Sequence, residues 1–378
     1  MKLGVIGYGS RIRDVLEELR GVDDRCFVGA IADVRHAEIR NNWHERGGDV
    51  PRFYKTTEQM LQKERLDGIL IGTRCSLHTD IALRVLPTGL PLFLEKPVAT
   101  SIEDLQRLKL AYERHPSPVL VSFPLRTSPM IRLVKEIIDS GKIGTVEHVQ
   151  AVNNVTYGGV YFHNWYRDER ETGGLFLQKA THDFDYINHL TGQKPVAVCA
   201  MVSKQVFKGD KPAGLKCADC AERESCEEST ASSNNRNRTP KEWEYCCFAE
   251  DTGNEDSGSA IVKYESGMHV SYSQNFFVRR KAATRGARLV GYKGTLEFDF
   301  YTDTVKVYMH HTPRVDTYAL DPDQAHFGGD VVLAQNFIEM MNGTGKPLST
   351  LDSGLLSALM CLKARESAHT STFQQIVW

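Results

Sequence analysis

The sequence predicts an α/β protein: a doubly wound parallel sheet at the N-terminus, followed by an α+β domain on a large, mostly antiparallel sheet. Three observations predict it. Short apolar runs alternate with amphipathic stretches as far as residue 123. The first run leads straight into a Gly-x-Gly turn, and the second ends on an acid, Asp33. Beyond residue 145, strand-like segments succeed one another with little helix between them. The expected domains are 1–123 and 124–378, the second with a cysteine-containing insert at about 207–257.

Lys2 to Ile6 is the first strand, and Gly7-Tyr8-Gly9-Ser10-Arg11-Ile12 the turn into a helix marked by Ile12, Val15, Leu16 and Leu19. Cys26 to Ala32 is the second strand. Gly7 permits the tight turn, and Gly9 lets a pyrophosphate approach the backbone. The helix start offers that anion its free N–H groups and positive dipole end. Asp33, 21 residues after Ile12, is placed to accept hydrogen bonds from ribose hydroxyls. This order is that of a Rossmann dinucleotide-binding unit. Ile12 stands where a third glycine is expected, so helix and strand should pack differently here. A carboxylate at Asp33 repels a 2′-phosphate, which favours NAD; Arg35 keeps NADP open.

Ala37 to Arg46 then reads as a polar helix, Phe53-Tyr54 as a strand, and Thr57 to Gln62 as a helix capped by Thr56 or Thr57. Gly68 to Ile71 is the wholly apolar strand of a buried parallel sheet. Leu77 to Val85 is helical and Pro91 to Leu94 extended. Ser101 to Arg114 opens with a capping box, Ser101 to Asp104. Val119 to Val121 closes the sheet. Pro129 to Ser140 is an amphipathic helix and Val146 to Val155 a long strand. Further strands are read at Pro195 to Val206, Ala260 to Tyr264, Met268 to Ser273, Arg288 to Val290, Thr295 to Phe300 and Thr304 to His310. Helices at Gly174 to Leu190, Phe327 to Met341 and Ser353 to Thr370 are expected to cover one face of that sheet.

At 378 residues, with 41% hydrophobic and 25% charged residues, the composition is that of a soluble globular protein. A net charge of −2 gives no reason to expect nucleic acid or an anionic membrane as partner. No apolar run approaches the roughly 18 residues of a membrane span. The N-terminus shows no signal-peptide pattern, so a cytoplasmic location is expected.

Two constellations carry chemistry. Glu95-Lys96-Pro97 directly follows the strand Leu92 to Leu94, so Lys96 projects from the carboxyl edge of the sheet, where α/β folds bind ligands. An ammonium there can hold a substrate hydroxyl and stabilise alkoxide character. On a regular helix Gln178 and His182 share one face, and Lys179 and Asp183 a neighbouring one.

Over nearly its whole length the chain resembles the Gfo/Idh/MocA family of NAD(P)-dependent sugar and polyol dehydrogenases. The resemblance lies in Gly7-Tyr8-Gly9, Asp33, Thr73 through His78, Glu95-Lys96-Pro97, Gly173-Gly174, His182-Asp183 and His326 to Asp330. It implies a Rossmann domain joined to an open-faced α/β domain, associating as a homodimer or homotetramer. It implies cofactor contacts from Gly7, Tyr8, Gly9, Ser10, Arg11, Ile12, Asp33, Thr73, His78, Glu95 and Lys96. Lys96 and His182 become the polarising and proton-transfer groups, with Lys179 a further charge beside them. Pro97 is preceded by a bond that is often cis in relatives. Lys96, Tyr157, Trp165, Gln178, Thr181 and His182 are the expected substrate contacts, and His163, Asn164, Tyr166, Arg126 and His326 further candidates. Gln178 departs from the family: many members have an aspartate there, and a glutamine cannot take up a proton.

Cys217, Cys220, Cys226 and Cys246 form C-x2-C-x5-C-x19-C, read as a structural zinc site, with free thiols as the alternative. The leading function is NAD-dependent hydride transfer to or from a secondary alcohol or ketone of a sugar or cyclic polyol, inositol-like. Two others stay open: redox-assisted glycoside hydrolysis, which consumes no net NAD, and an NAD- or sugar-sensing protein without chemistry.

Overall fold

Two sheets lie along the chain in sequence order. The computed structural model describes residues 1–43, 50–237, 239–321 and 325–378. The first sheet holds β1 (Lys2–Ile6), β2 (Phe27–Ala32), β3 (Arg52–Tyr54), β4 (Gly68–Ile71), β5 (Leu92–Leu94) and β6 (Val119–Val121). Its order is β3-β2-β1-β4-β5-β6, with every pair parallel. The crossovers carry α1 (Ser10–Val22), α2 (His36–Asn41), α3 (Thr57–Lys63), α4 (His78–Val85) and α5 (Ile102–Arg114). Residues 44–46 of the predicted polar helix lie outside the described residues. Two predicted caps form: Thr56 Oγ1 accepts from Gln59 N at 3.3 Å, and Ser101 Oγ from Asp104 N at 3.1 Å.

After α6 (Pro124–Thr127) and α7 (Pro129–Asp139), the chain enters the second sheet at β7 (Val146–Asn154). It then forms α8 (Val160–His163), α9 (Glu169–Thr172), a π turn (Phe176–Ala180), α10 (Thr181–Thr191) and β8 (Pro195–Ser203). β9 (Ser257–Tyr264), β10 (His269–Asn275), β11 (Thr284–Gly291), β12 (Gly294–Asp299), β13 (Thr304–Met309) and β14 (Val315–Ala319) follow. The chain ends through α11 (Gly329–Met341), α12 (Leu351–Thr370) and β15 (Gln374–Gln375). This nine-stranded sheet runs β14-β13-β12-β11-β7-β10-β9-β8-β15. All its pairs are antiparallel except β7 with β10. The predicted fold class therefore holds, with two edge strands added. β14 alternates only between half-buried and exposed positions, and β15 is two residues long, so neither has the apolar periodicity that marks a strand.

One expected layer is corrected. Helix α11 does not cover the second sheet. Its Leu333, Ala334, Phe337 and Ile338 join Leu3, Val5, Ile12, Val15 and Leu19 in a core on one face of the first sheet. Gly68 shows how close this approach is: a Cβ there would lie 2.6 Å from Met341 Sδ, which follows the core-facing Phe337 by one turn. Helix α12 reaches the other face, where Gly354 sits against Val98 and Val121. Both C-terminal helices thus tie the late chain to the N-terminal sheet, and α11 delivers Asp330 to the candidate site. None of the described helices is long and apolar enough to cross a membrane.

Candidate active site

At the end of β1 the backbone turns at Gly7, with φ +82°. A Cβ there would meet Thr73 Cγ2 at 2.7 Å and Gly72 O at 2.8 Å, so glycine serves both conformation and space. Gly9 precedes α1, whose first turn has no side-chain cap and no acid. The N–H groups of Ser10, Arg11 and Ile12 are thereby left for an anion in the cleft. Asp33 ends β2 with its carboxylate already oriented: Oδ2 accepts from Tyr8 N at 2.9 Å and Oδ1 from Arg35 N at 2.7 Å. An uncapped helix start, an open Gly9 and an oriented acid fit a dinucleotide.

The absent third glycine has a counterpart across the sheet. Ile12 is fully buried, and its side chain fills the space left by Gly72 at the end of β4. A Cβ on Gly72 would lie 2.0 Å from Ile12 Cγ1. Ile12 therefore contributes packing and at most its N–H to a cofactor. Gly72→Ala is expected to cost about 1–3 kcal/mol by overpacking and, by shifting the start of α1, to weaken the binding of any dinucleotide there about tenfold. Combining it with Ile12→Ala should recover most of the affinity, as measured by nucleotide titration and thermal melting.

Three further expected cofactor contacts have structural duties. The Arg11 guanidinium lines the cleft but is already paired: Nε donates to Glu95 Oε1 at 2.9 Å, Nη1 and Nη2 to Asp330 at 2.9 and 2.7 Å, and Nη2 to Ser122 at 3.1 Å. Glu95 is the other half of that network, and its role is to bind α1 and α11 to the end of β5. His78 is buried, with Nδ1 2.8 Å from Pro97 O and Nε2 3.3 Å from Thr73 O. It braces both loops of the cleft, and burial lowers its basicity. The Lys96–Pro97 bond is cis, as the resemblance implied.

The reaction end is assembled from β5, the π turn, α10 and the loop before α8. Lys96 Nζ donates to the Gln178 carbonyl at 3.1 Å. Burial, and then the charge of Lys179, push its amine down to about 8. Lys179 Nζ donates to the Tyr157 hydroxyl and lies 4.3 Å from the centre of that ring and 5.3 Å from that of Tyr161. Burial pushes Lys179 down as well. The Tyr157 phenol is pushed up by burial, but Lys179 and Arg285 outweigh this and hold it below its ordinary value. His182 is half-buried at the start of α10, edge-on to Phe123 with ring centres 5.7 Å apart. These groups and the glycine turn line one cleft of about 1570 Å³, room enough for a dinucleotide and a small molecule.

Four expectations need correction. The Gln178 side chain does not pair with His182, because its amide is engaged elsewhere; residues 176–180 form a π turn, a feature that concentrates at functional sites. The Gln178 amide donates to Thr172 O at 2.8 Å and to Cys75 Sγ at 3.4 Å, so its contribution to the cleft is the carbonyl that holds Lys96. Thr181 is buried against α12, 3.3 Å from Ser357 Oγ, and does not line the cleft. Arg126 closes on Asp185, its Nε 2.9 Å from Oδ2. Trp165 does line the cleft, stacked on Tyr166 at 3.8 Å with the Arg74 guanidinium 3.7 Å above it. The side chain of His326 lies outside the described residues.

The cysteine insert is corrected too. All its cysteines are free, and no three of the Cys217, Cys220, Cys226 and Cys246 sulfurs come within 4.8 Å of one another. Burial pushes the Cys226 and Cys246 thiols up. Another set does converge, His163, Glu228 and Cys247, but Glu228 already pairs with Arg279 at 2.8 and 2.9 Å. The insert packs through Phe207 and Cys247 on Phe162 and Phe276, while Trp243 walls the cleft. Chain spacing suggested a metal; side-chain packing orders the segment instead.

Known proteins bear out this architecture. Residues 1–123 match the model of an oxidoreductase family with an NAD-binding Rossmann fold, and residues 131–297 match the GFO/IDH/MocA C-terminal domain. The chain belongs to the GFO/IDH/MocA oxidoreductase family. It is 27% identical over 327 residues to YteT of Bacillus subtilis, covering 76% of each chain. With the myo-inositol 2-dehydrogenase of Thermotoga maritima it shares 26% identity over 209 residues, 53% of this chain and 58% of that enzyme. The solved structure of levoglucosan dehydrogenase with NADH and levoglucosan superposes with a TM-score of 0.77 over all of both chains, at 15% identity. At that identity the likeness concerns the fold. Local sequence carries no signal for Tyr161, Trp243 and Arg285 as site residues, nor for the partners of Asp183 and Asp330; each reaches the cleft or its support through contacts distant in sequence.

Proposed function

We propose that this GFO/IDH/MocA oxidoreductase is an NAD-dependent dehydrogenase of a secondary alcohol on a sugar or cyclic polyol. The observation that carries this is that the Lys96 amine and His182 line one cleft together with the uncapped start of α1. A bound nicotinamide dinucleotide supplies the hydride acceptor. The α1 start and Gly9 hold its pyrophosphate, and Asp33 its adenosine ribose, which favours NAD over NADP. Lys96, as an ammonium, donates to the substrate oxygen and steadies negative charge developing there. His182 exchanges the proton with that oxygen or its neighbour. The Gln178 carbonyl fixes the Lys96 side chain, and Lys179 and Tyr157 border the substrate. The same groups serve reduction of the ketone. We further propose that the open face of the nine-stranded sheet forms a homo-oligomer, to be checked by light scattering.

Incubation with NAD and a panel of sugars, inositols, uronates and aryl glycosides tests the reading. NADH absorbance should grow with one substrate class and no aglycone should appear. Aglycone release without net NADH would replace the reading with redox-assisted glycoside cleavage, and silence with NAD bound would favour a sensor.

A further inference from the structure

We propose that the substrate is a sugar acid, its carboxylate held at Lys179 while Lys96 takes the oxygen that changes oxidation state. This rests on the dehydrogenase reading and adds a chemical class of substrate to it.

The charges around the reaction end do not balance. Arg285 is matched by Asp183, with Nε and Nη2 both 2.8 Å from Oδ1. Asp183 is fully buried and also accepts from Asn153 and Tyr272 at 2.8 Å each. Arg11 is matched by Glu95 and Asp330, and Arg126 by Asp185. Glu171 accepts from Ser76 at 2.6 Å, and Glu242 is exposed on the rim. Arg74 is stacked on Trp165, and Lys55 lines the cleft near the glycine turn. At the reaction end, once those pairs are drawn, two amines of the described residues stand without an ion-paired carboxylate. Lys96 is held by a backbone carbonyl and Lys179 by a phenol.

An ammonium taken from water without a counter-ion is unfavourable, so each amine either loses its proton or is paired by a ligand. A neutral sugar brings only hydroxyl dipoles. A carboxylate brings a full charge and acceptor sites on two oxygens. Lys179 has three N–H donors, and Tyr157 takes one. The rings of Tyr157 and Tyr161 hold the ammonium by their faces, which orients it without cancelling its charge. Asn164, Trp165 and Trp243 line the adjoining wall, where a pyranose ring has both apolar and hydrogen-bonding partners.

The test is calorimetric binding to the full chain, with and without NADH. Glucuronate and galacturonate are compared with glucose, galactose and the methyl esters of the two acids. The acids should bind at least about tenfold more tightly than the neutral sugars and esters. Lys179→Met should erase that gain and Lys179→Arg should keep most of it, with melting curves confirming that both variants fold. At pH 8, acid binding should also take up protons, read from two buffers of different ionisation heat, because a carboxylate reverses the effect of burial on the amines. The titratable and charged groups around the anion are Lys96, Lys179, Tyr157, His182, Tyr161, Tyr166, Cys75 and Arg74, with Glu95, Asp183 and Arg285 behind them. Acids that bind no more tightly than neutral sugars, or not at all, overturn the proposal, as does an acid preference that survives Lys179→Met. Turnover of a neutral sugar alone overturns it and leaves the dehydrogenase reading intact. Tight acid binding without turnover of any panel member sinks that reading and leaves the carboxylate site.

Discussion

Lys96→Met is expected to lower kcat about 10³-fold with NAD affinity and melting temperature near wild type. The loss corresponds to about 4 kcal/mol of transition-state stabilisation. In the proposed reaction its source is local: the Lys96 ammonium donates to an oxygen that carries negative charge once its proton leaves and before hydride transfer is complete, and that regains it when a ketone accepts hydride. Methionine keeps the length and apolar stem of the side chain, so the cis loop and the Gln178 carbonyl keep their places. The pH profile carries an independent sign. The active form is the ammonium, and burial places its pKa at about 8. Wild-type kcat/KM should therefore fall as pH rises through about 8, and that limb should vanish in Lys96→Met. Steady-state kinetics from pH 6 to about 10 read both. A variant with unchanged kcat would remove Lys96 from the mechanism.

Arg285→Met is expected to destabilise the fold by about 3–5 kcal/mol, the largest stability effect of any single change considered. Asp183 has no exposed surface, and Arg285 is its only cationic hydrogen-bond partner among the described residues. Removing the guanidinium leaves a carboxylate in the core between α10 and the nine-stranded sheet, with Asn153 and Tyr272 as its remaining donors. Asp183→Asn in the same chain should recover more than half of the loss, because it removes the stranded charge. Denaturant titration of the two single variants and the double variant measures this. Equal melting of Arg285→Met and wild type would show that Asp183 is not charged. Since His182 immediately precedes Asp183, the single variant should also lose activity before it unfolds.

The first half of the fold was legible because its signals are local. The Gly7–Gly9 turn, the acid at Asp33, the Ser101 cap and the apolar runs of β4 to β6 each follow from a few consecutive residues. Lys96 was legible for the same reason: its place at the end of a strand needs only the strand. The second sheet was legible in outline: β9 and β11 begin three and four residues before their predicted starts, β7, β8 and β13 end one to three residues short of their predicted ends, and the exposed edge strands β14 and β15 carried no pattern to read.

The site residues divide along the same line. Arg11 reads as part of the glycine turn, yet its partner Asp330 lies 319 positions away, and only packing of α11 on α1 brings the two together. Thr181 and Gln178 read as cleft residues on a regular helix. The Gln178 amide turns instead to Thr172 and Cys75, and Thr181 packs on Ser357 of α12, contacts that apolar periodicity does not report. The four cysteines have the spacing of a zinc site and gather in one region, but spacing does not fix how closely the sulfurs approach, and no three of them come within 4.8 Å of one another. By itself, then, the sequence determined the Rossmann unit, its dinucleotide turn and the lysine at the sheet edge, because those depend on near neighbours and strand direction. Tertiary structure alone decided which charges are cancelled and which are left facing the cleft. A charge is cancelled by whatever the folded chain places within a few ångströms of it, whatever the distance in sequence.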